Sequence, residues 1–137
     1  MSLSQQIEVH NDYLKVVISG DFSLTELIAL AKEMYAATIQ HNITKALIDL
    51  RLMTGTPSML ERFAYARFIA EEGLAQRGPG HSVLRLAYVG HEAMVDPDSF
   101  GEIVARNRGA FVKGTADEQA ARAWLGIDKE PGESQGA

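Results

Sequence analysis

The 137-residue chain contains no cysteine, which removes disulfide scaffolds, thiol catalysis and most zinc sites. It is short of positive charge: 13 Lys and Arg stand against 18 Asp and Glu, a formal net charge of −5, with no basic cluster. That balance argues against a nucleic-acid partner, because such affinity comes largely from neutralising phosphates. No apolar run approaches the roughly 20 residues that a membrane-crossing helix needs. The opening Met1-Ser2-Leu3-Ser4-Gln5-Gln6 has neither the basic flank nor the apolar stretch of a signal peptide. These absences predict a cytoplasmic chain without an integral membrane segment.

What is present is an ordinary globular composition, 46% apolar and 23% charged, which predicts one domain over residues 1–127. The polar stretch 128–137 is expected to be a disordered tail. Residues 7–10 and 13–19 read as strands joined by the turn pair Asn11-Asp12, hence an antiparallel hairpin. Ser23-Leu24-Thr25-Glu26 has the spacing of a capping box. Behind it Leu24, Leu27, Ile28, Ala31, Met34, Tyr35, Thr38 and Ile39 recur at helical spacing, and His41-Asn42 marks the end. Ala46-Leu47-Ile48-Asp49-Leu50 is a nearly continuous apolar run, as expected of a strand covered on both faces. A loop over 51–56 then leads to Pro57 and a second box, Ser58 with Glu61.

The second helix is expected to run to Gly73 or Leu74, followed by a turn at Gly78-Pro79-Gly80 and a strand over 83–89. Asp96-Pro97 opens a third helix ending at Asn107 or Gly109, and 110–113 form a short strand. Thr115 and Glu118 have the spacing of a third box, before a last helix with Ala120, Ala123 and Trp124 inward. The order ββαβαβαβα predicts an α/β fold, a mainly parallel sheet with an antiparallel N-terminal edge hairpin and packed helices.

That order resembles the SpoIIAA-like family, within the wider STAS (sulphate transporter and anti-sigma antagonist) group, from Asp12 to Ile127. Three stretches carry the resemblance: Ala46-Leu47-Ile48-Asp49-Leu50-Arg51; Arg85-Leu86-Ala87-Tyr88-Val89-Gly90; and Glu102 through Gly109 together with Glu118 through Leu125. Anti-sigma antagonists of the wider group carry Asp-Ser-Ser-Gly where the second helix begins, and a kinase phosphorylates one of those serines. Here the matching stretch reads Thr56-Pro57-Ser58-Met59-Leu60, without the Asp or the Gly. The resemblance therefore implies a regulatory module with a protein partner and offers Ser58 alone for the phosphorylated position. STAS-like proteins of this shorter kind also resemble lipid-binding folds, which implies a small apolar ligand in a groove against the sheet as the alternative.

Read from the residues alone, Ser58 is first of all a plain helix cap paired with Glu61. Thr54 and Thr56 share its loop, which leaves the carboxyl end of a central strand, where open α/β sheets place ligands. In the second helix Met59, Phe63, Ala66 and Ala70 fall on the expected core side, and Tyr65 and Phe68 fall opposite as a candidate interface, with a homodimer one outcome. Met34, Met53, Met59 and Met94 would be the adaptable lining of an apolar pocket. Arg106 stands four residues after Glu102, an ordinary helical ion pair. Asp49 ends a central strand with no second carboxylate or His at a motif spacing, so a loop-anchoring hydrogen bond is expected of it.

Signatures of catalysis fail individually. Gly80-His81-Ser82-Val83-Leu84 lacks the second Gly of a nucleophile elbow and precedes a strand. Gly78-Pro79-Gly80 opens no helix, and no Gly-Lys-Ser or Gly-Lys-Thr is present. His91-Glu92 lacks the second His of a zinc protease, and His10, His41 and His81 also fall at element ends. No catalytic residue, cofactor or metal is expected.

Overall fold

A computed structural model describes residues 3–77, 84–91 and 111–127, with the backbone alone for 73–77. The expected turn at 78–80, the helix opening at Asp96, the Glu102–Arg106 pair, Met94, His81 and the tail lie outside the described residues.

β1 (Ser4–Val9) and β2 (Leu14–Asp21) form the expected antiparallel hairpin, paired from Val9 with Leu14 to Ser4 with Ser19. β1 begins three residues before the expected start, because Ser4, Gln5 and Gln6 carry no strand pattern of their own and are drafted by pairing with β2. After α1 (Leu24–His41) come β3 (Lys45–Thr54), α2 (Met59–Arg77), β4 (Arg85–Val89), β5 (Phe111–Thr115) and α3 (Glu118–Leu125). The sheet order is β1-β2-β3-β4-β5, parallel from β2 onward. The α/β class and the antiparallel edge are as the sequence predicts.

Two apolar layers flank the sheet. The larger joins Leu14, Val16 and Ile18 of β2 and Ala46, Ile48 and Leu50 of β3 to Leu27, Ala31, Met34 and Tyr35 of α1 and Ile69 of α2. The smaller joins Leu47, Ala87 and Val89 to Ala121 and Leu125 of α3, with Tyr13. Alternate residues of β3 thus serve opposite layers, as the two-residue period of a strand requires.

Capping chemistry sets the helix ends. Ser23 Oγ accepts from the Glu26 N–H (3.3 Å), while Glu26 Oε1 accepts from the Leu3 N–H (2.6 Å) and so moors the start of the chain to α1. Asn42 closes α1 in the left-handed region. Ile39 is exposed instead of core-facing, one residue past the buried Thr38 that ends the inward stripe.

α3 departs from expectation in its phase. Its cap is Asp117, whose carboxylate accepts from the Gln119 N–H (3.0 Å), and Thr115 is spent as the last residue of β5. The inward face is therefore Ala121, Arg122 and Leu125, with Ala120 and Ala123 in solvent and Trp124 half-buried. Trp124 carries the Arg85 guanidinium over its ring at 4.8 Å, a cation–π contact.

Candidate functional site

The expected loop over 51–56 is shorter than the sequence suggests, because β3 continues through Thr54. Beyond Asp49 the strand pairs with β2 alone, since the β4 ladder ends at Asp49 with Val89. A bulge also interrupts it: Val17 pairs with Asp49 but Ser19 pairs with Leu52, so β3 holds one extra residue. Burial records the consequence. Leu50 and Met53 both enter the larger core, whereas Arg51 and Leu52 between them do not.

Asp49 holds this bulge. Its Oδ1 accepts from the Arg51 N–H and from Arg51 Nε (both 2.9 Å), and Arg51 Nη2 donates to Asp49 Oδ2 (2.8 Å). The same Nη2 donates to Glu118 Oε1 (2.7 Å) at the start of α3, and Glu118 Oε2 accepts from Arg122 Nε (3.0 Å). Arg122, almost wholly buried, donates on to the Tyr13 hydroxyl (3.4 Å), and its guanidinium lies over that ring. His10, in the same β1–β2 turn, stacks on Tyr13, the ring centroids 4.5 Å apart and the rings nearly parallel. His91 Nε2 sits 3.2 Å from Arg51 O, within donating distance in the tautomer protonated there.

Electrostatics follow from the geometry. Burial pushes the Asp49 carboxyl up, but hydrogen bonds from the Arg51 side chain and backbone, with the Arg51 and Lys15 charges, outweigh it and hold it below its ordinary value. The anchoring bond expected of Asp49 is thus present, inside the strand. Nothing in the sequence links Asp49 to Glu118, 69 positions on; the one local signal in the network is the four-residue spacing of Glu118 and Arg122.

The Thr54 hydroxyl donates to Asp21 Oδ1 (2.5 Å) across the ends of β2 and β3, and holds that carboxyl below its ordinary value. Gly55 follows at φ +93°, with Phe22 Cβ 3.4 Å from where its own Cβ would stand, a close approach in a conformation that favours glycine. Thr56 is exposed and Pro57 buried. Ser58 and Glu61 then close the capping box reciprocally: the Ser58 N–H donates to Glu61 Oε1 (2.9 Å), and the Glu61 N–H to Ser58 Oγ (3.1 Å). Both Thr54 and Ser58 are thus engaged, while Ser58 remains open to solvent.

Tyr65 and Phe68 do not sit on a solvent face. Both are half-buried against the larger core, and the Tyr65 hydroxyl meets that of Tyr88 on β4 at 2.9 Å, the rings edge to face at 5.9 Å. Burial raises the pKa of both phenols. The sequence phase misleads here because α2 buries only Ala66, Ile69 and Ala70 fully among its described side chains, and paired phenols complete the contact. Met59, expected inward, is exposed.

The apolar surface lies instead around the loop. Among the described residues the most exposed large hydrophobic side chains are Leu60 (80%), Leu52 (62%) and Met59 (62%), flanking residues 53–58. The methionines proposed to line a pocket are divided: Met34 and Met53 are core, and Met59 faces water. No helix among the described residues is long and apolar enough to cross a membrane, and no group of three or more His, Asp or Glu among them is placed to hold a metal.

No protein-family model matches the sequence, and no curated protein matches it. Solved structures do match in fold. An uncharacterized protein of the DUF3478 family with a SpoIIAA-like fold, from Shewanella loihica, aligns over 90% of this chain and 94% of its own, at 22% identity and a TM-score of 0.51. An anti-sigma factor antagonist from Mycobacterium paratuberculosis aligns over the same shares, at 14% identity and a TM-score of 0.56. The fold is that of the SpoIIAA-like proteins, as the sequence resemblance implied.

Proposed function

We propose that the chain is a non-enzymatic regulatory module that binds a protein partner through the surface formed by Leu52, Thr54, the loop 55–58 and the first turn of α2. The observation that carries this reading is that the three most exposed large apolar side chains among the described residues, Leu52, Met59 and Leu60, border the segment 53–58 on its two sides along the chain. Exposing them costs the free chain roughly 25 cal/mol for each Å² left in water, a cost that contact with another protein recovers. The fold shared with an anti-sigma factor antagonist supports the same reading. Asp49, within β3, is engaged by Arg51, and Asp21, at the end of β2, is engaged by Thr54.

Ser58 is the candidate phosphoacceptor within that surface. A phosphate there adds nearly two negative charges beside the Glu61 carboxylate, which already occupies the Ser58 N–H. The capping box would open and the charge would stand next to Met59 and Leu60, so modification would weaken an apolar contact.

Affinity capture with four immobilised baits tests the proposal: wild type, Ser58→Ala, Ser58→Asp and Leu60→Asp. A protein retained by the first two and lost from the last two is expected. A protein retained equally by all four, or by none, contradicts it.

A further inference from the structure

We infer that Asp49 and Arg51 are positioning residues that select the register of the outer half of β3, and thereby decide that Leu52, not Met53, is offered to solvent. Val17 pairs with Asp49 and Ser19 with Leu52. Removal of the extra residue would pair Ser19 with Arg51, Gly20 with Leu52 and Asp21 with Met53. Side chains alternate along a strand, so a one-residue slip exchanges faces. The slipped strand would turn Leu52 into the core and Met53 out of it.

Hydrophobic burial discriminates weakly between these two arrangements. Leu and Met are close in volume, and such swaps are the best tolerated of core changes. Pairing between strands discriminates weakly too, because this half of β3 has lost β4 as a neighbour; a slip disturbs the β2 ladder and the bonds of Thr54 to Asp21 and Phe22 at its end. What separates the registers is polar. Asp49 Oδ1 takes the Arg51 N–H at the bulge, both carboxylate oxygens take the guanidinium, and Glu118 holds the same Nη2 from α3. His91 stands at the Arg51 carbonyl. A regular strand would keep Arg51 on the face of Asp49, so the part of the clasp that belongs to the bulge is the bond from the Arg51 N–H to Asp49 Oδ1, with the guanidinium orienting that carboxylate.

The absence of cysteine makes the test clean. Leu52→Cys and Met53→Cys are made singly, each alone and combined with Asp49→Ala, Arg51→Ala or Asp49→Asn, and thiol labelling by a maleimide is timed on the folded protein. With Asp49 intact, the thiol at position 52 reacts about tenfold or more faster than that at 53. With Asp49→Ala or Arg51→Ala the order reverses, 53 accelerating and 52 slowing. Asp49→Asn keeps an oxygen for the Arg51 N–H and restores the original order. Joint acceleration of both thiols would mean local unfolding and would overturn the inference, as would no change at either. Labelling requires no partner, so this result is independent of the proposed function.

Discussion

The two halves of β3 are held by different forces. Residues 46–49 lie between β2 and β4, and alternation assigns Ala46 and Ile48 to one core and Leu47 to the other. Residues 50–54 have one neighbour strand, an extra residue, and a carboxylate–guanidinium fork doing what cross-strand pairing does further in. The inner half has one way to bury its apolar side chains. The outer half has two nearly equivalent ones, and polar chemistry chooses. The exposed surface proposed for partner binding begins where burial stops dictating the conformation.

That contrast is breakable from its strong side first. Ile48→Ala removes a side chain only 2% exposed and is expected to cost about 2–5 kcal/mol by urea unfolding. A cost below about 1 kcal/mol would mean that the inner half is not the anchor described here. Next in size is Glu118→Gln, which withdraws one charge from both Arg51 and the buried Arg122. About 1–3 kcal/mol is expected, since a buried guanidinium loses an ionised partner. The Arg51→Ala background should reduce that cost measurably, because the two residues share the bond.

Acid sharpens the comparison further. The Asp49 carboxyl titrates below its ordinary value in the folded chain, so its contribution is complete above the ordinary carboxylate range and is lost as pH falls through the folded value. Wild type should therefore lose more stability than Asp49→Asn between about pH 5 and pH 2. Parallel loss in both proteins would show that Asp49 contributes nothing in that window. The smallest expected effect belongs to the loop: Ser58→Ala should cost about 1 kcal/mol in the same urea experiment, and Ser58→Asp much less, because Asp caps a helix as Ser does.

The same contrast explains what was legible in the sequence. The element order among the described residues, the hairpin, the cap at Ser23 and the reciprocal box at Ser58 were readable because each rests on neighbours within a few residues, although Glu26 Oε1 takes the Leu3 N–H and does not return a bond to Ser23. Three features were not. β3 extends past Leu50 because pairing with β2 overrides the broken alternation of Arg51-Leu52-Met53. α3 takes its phase from Asp117 although Thr115 stands at the spacing of a box, since Thr115 already closes β5. Arg122 reads as a surface residue until Glu118 and Tyr13 are seen to enclose it. The candidate loop at Thr54, Thr56 and Ser58 was located from strand order, whereas its apolar border required measured exposure: Met59 was expected inside, and Tyr65 and Phe68 outside.

Amide hydrogen exchange resolved by NMR tests the division of β3 most directly. In Asp49→Ala the account predicts that the Arg51 amide exchanges about tenfold or more faster than in wild type, while the Leu47 and Ile48 amides keep their protection. Equal acceleration at all three, or an unchanged Arg51 amide, would contradict it.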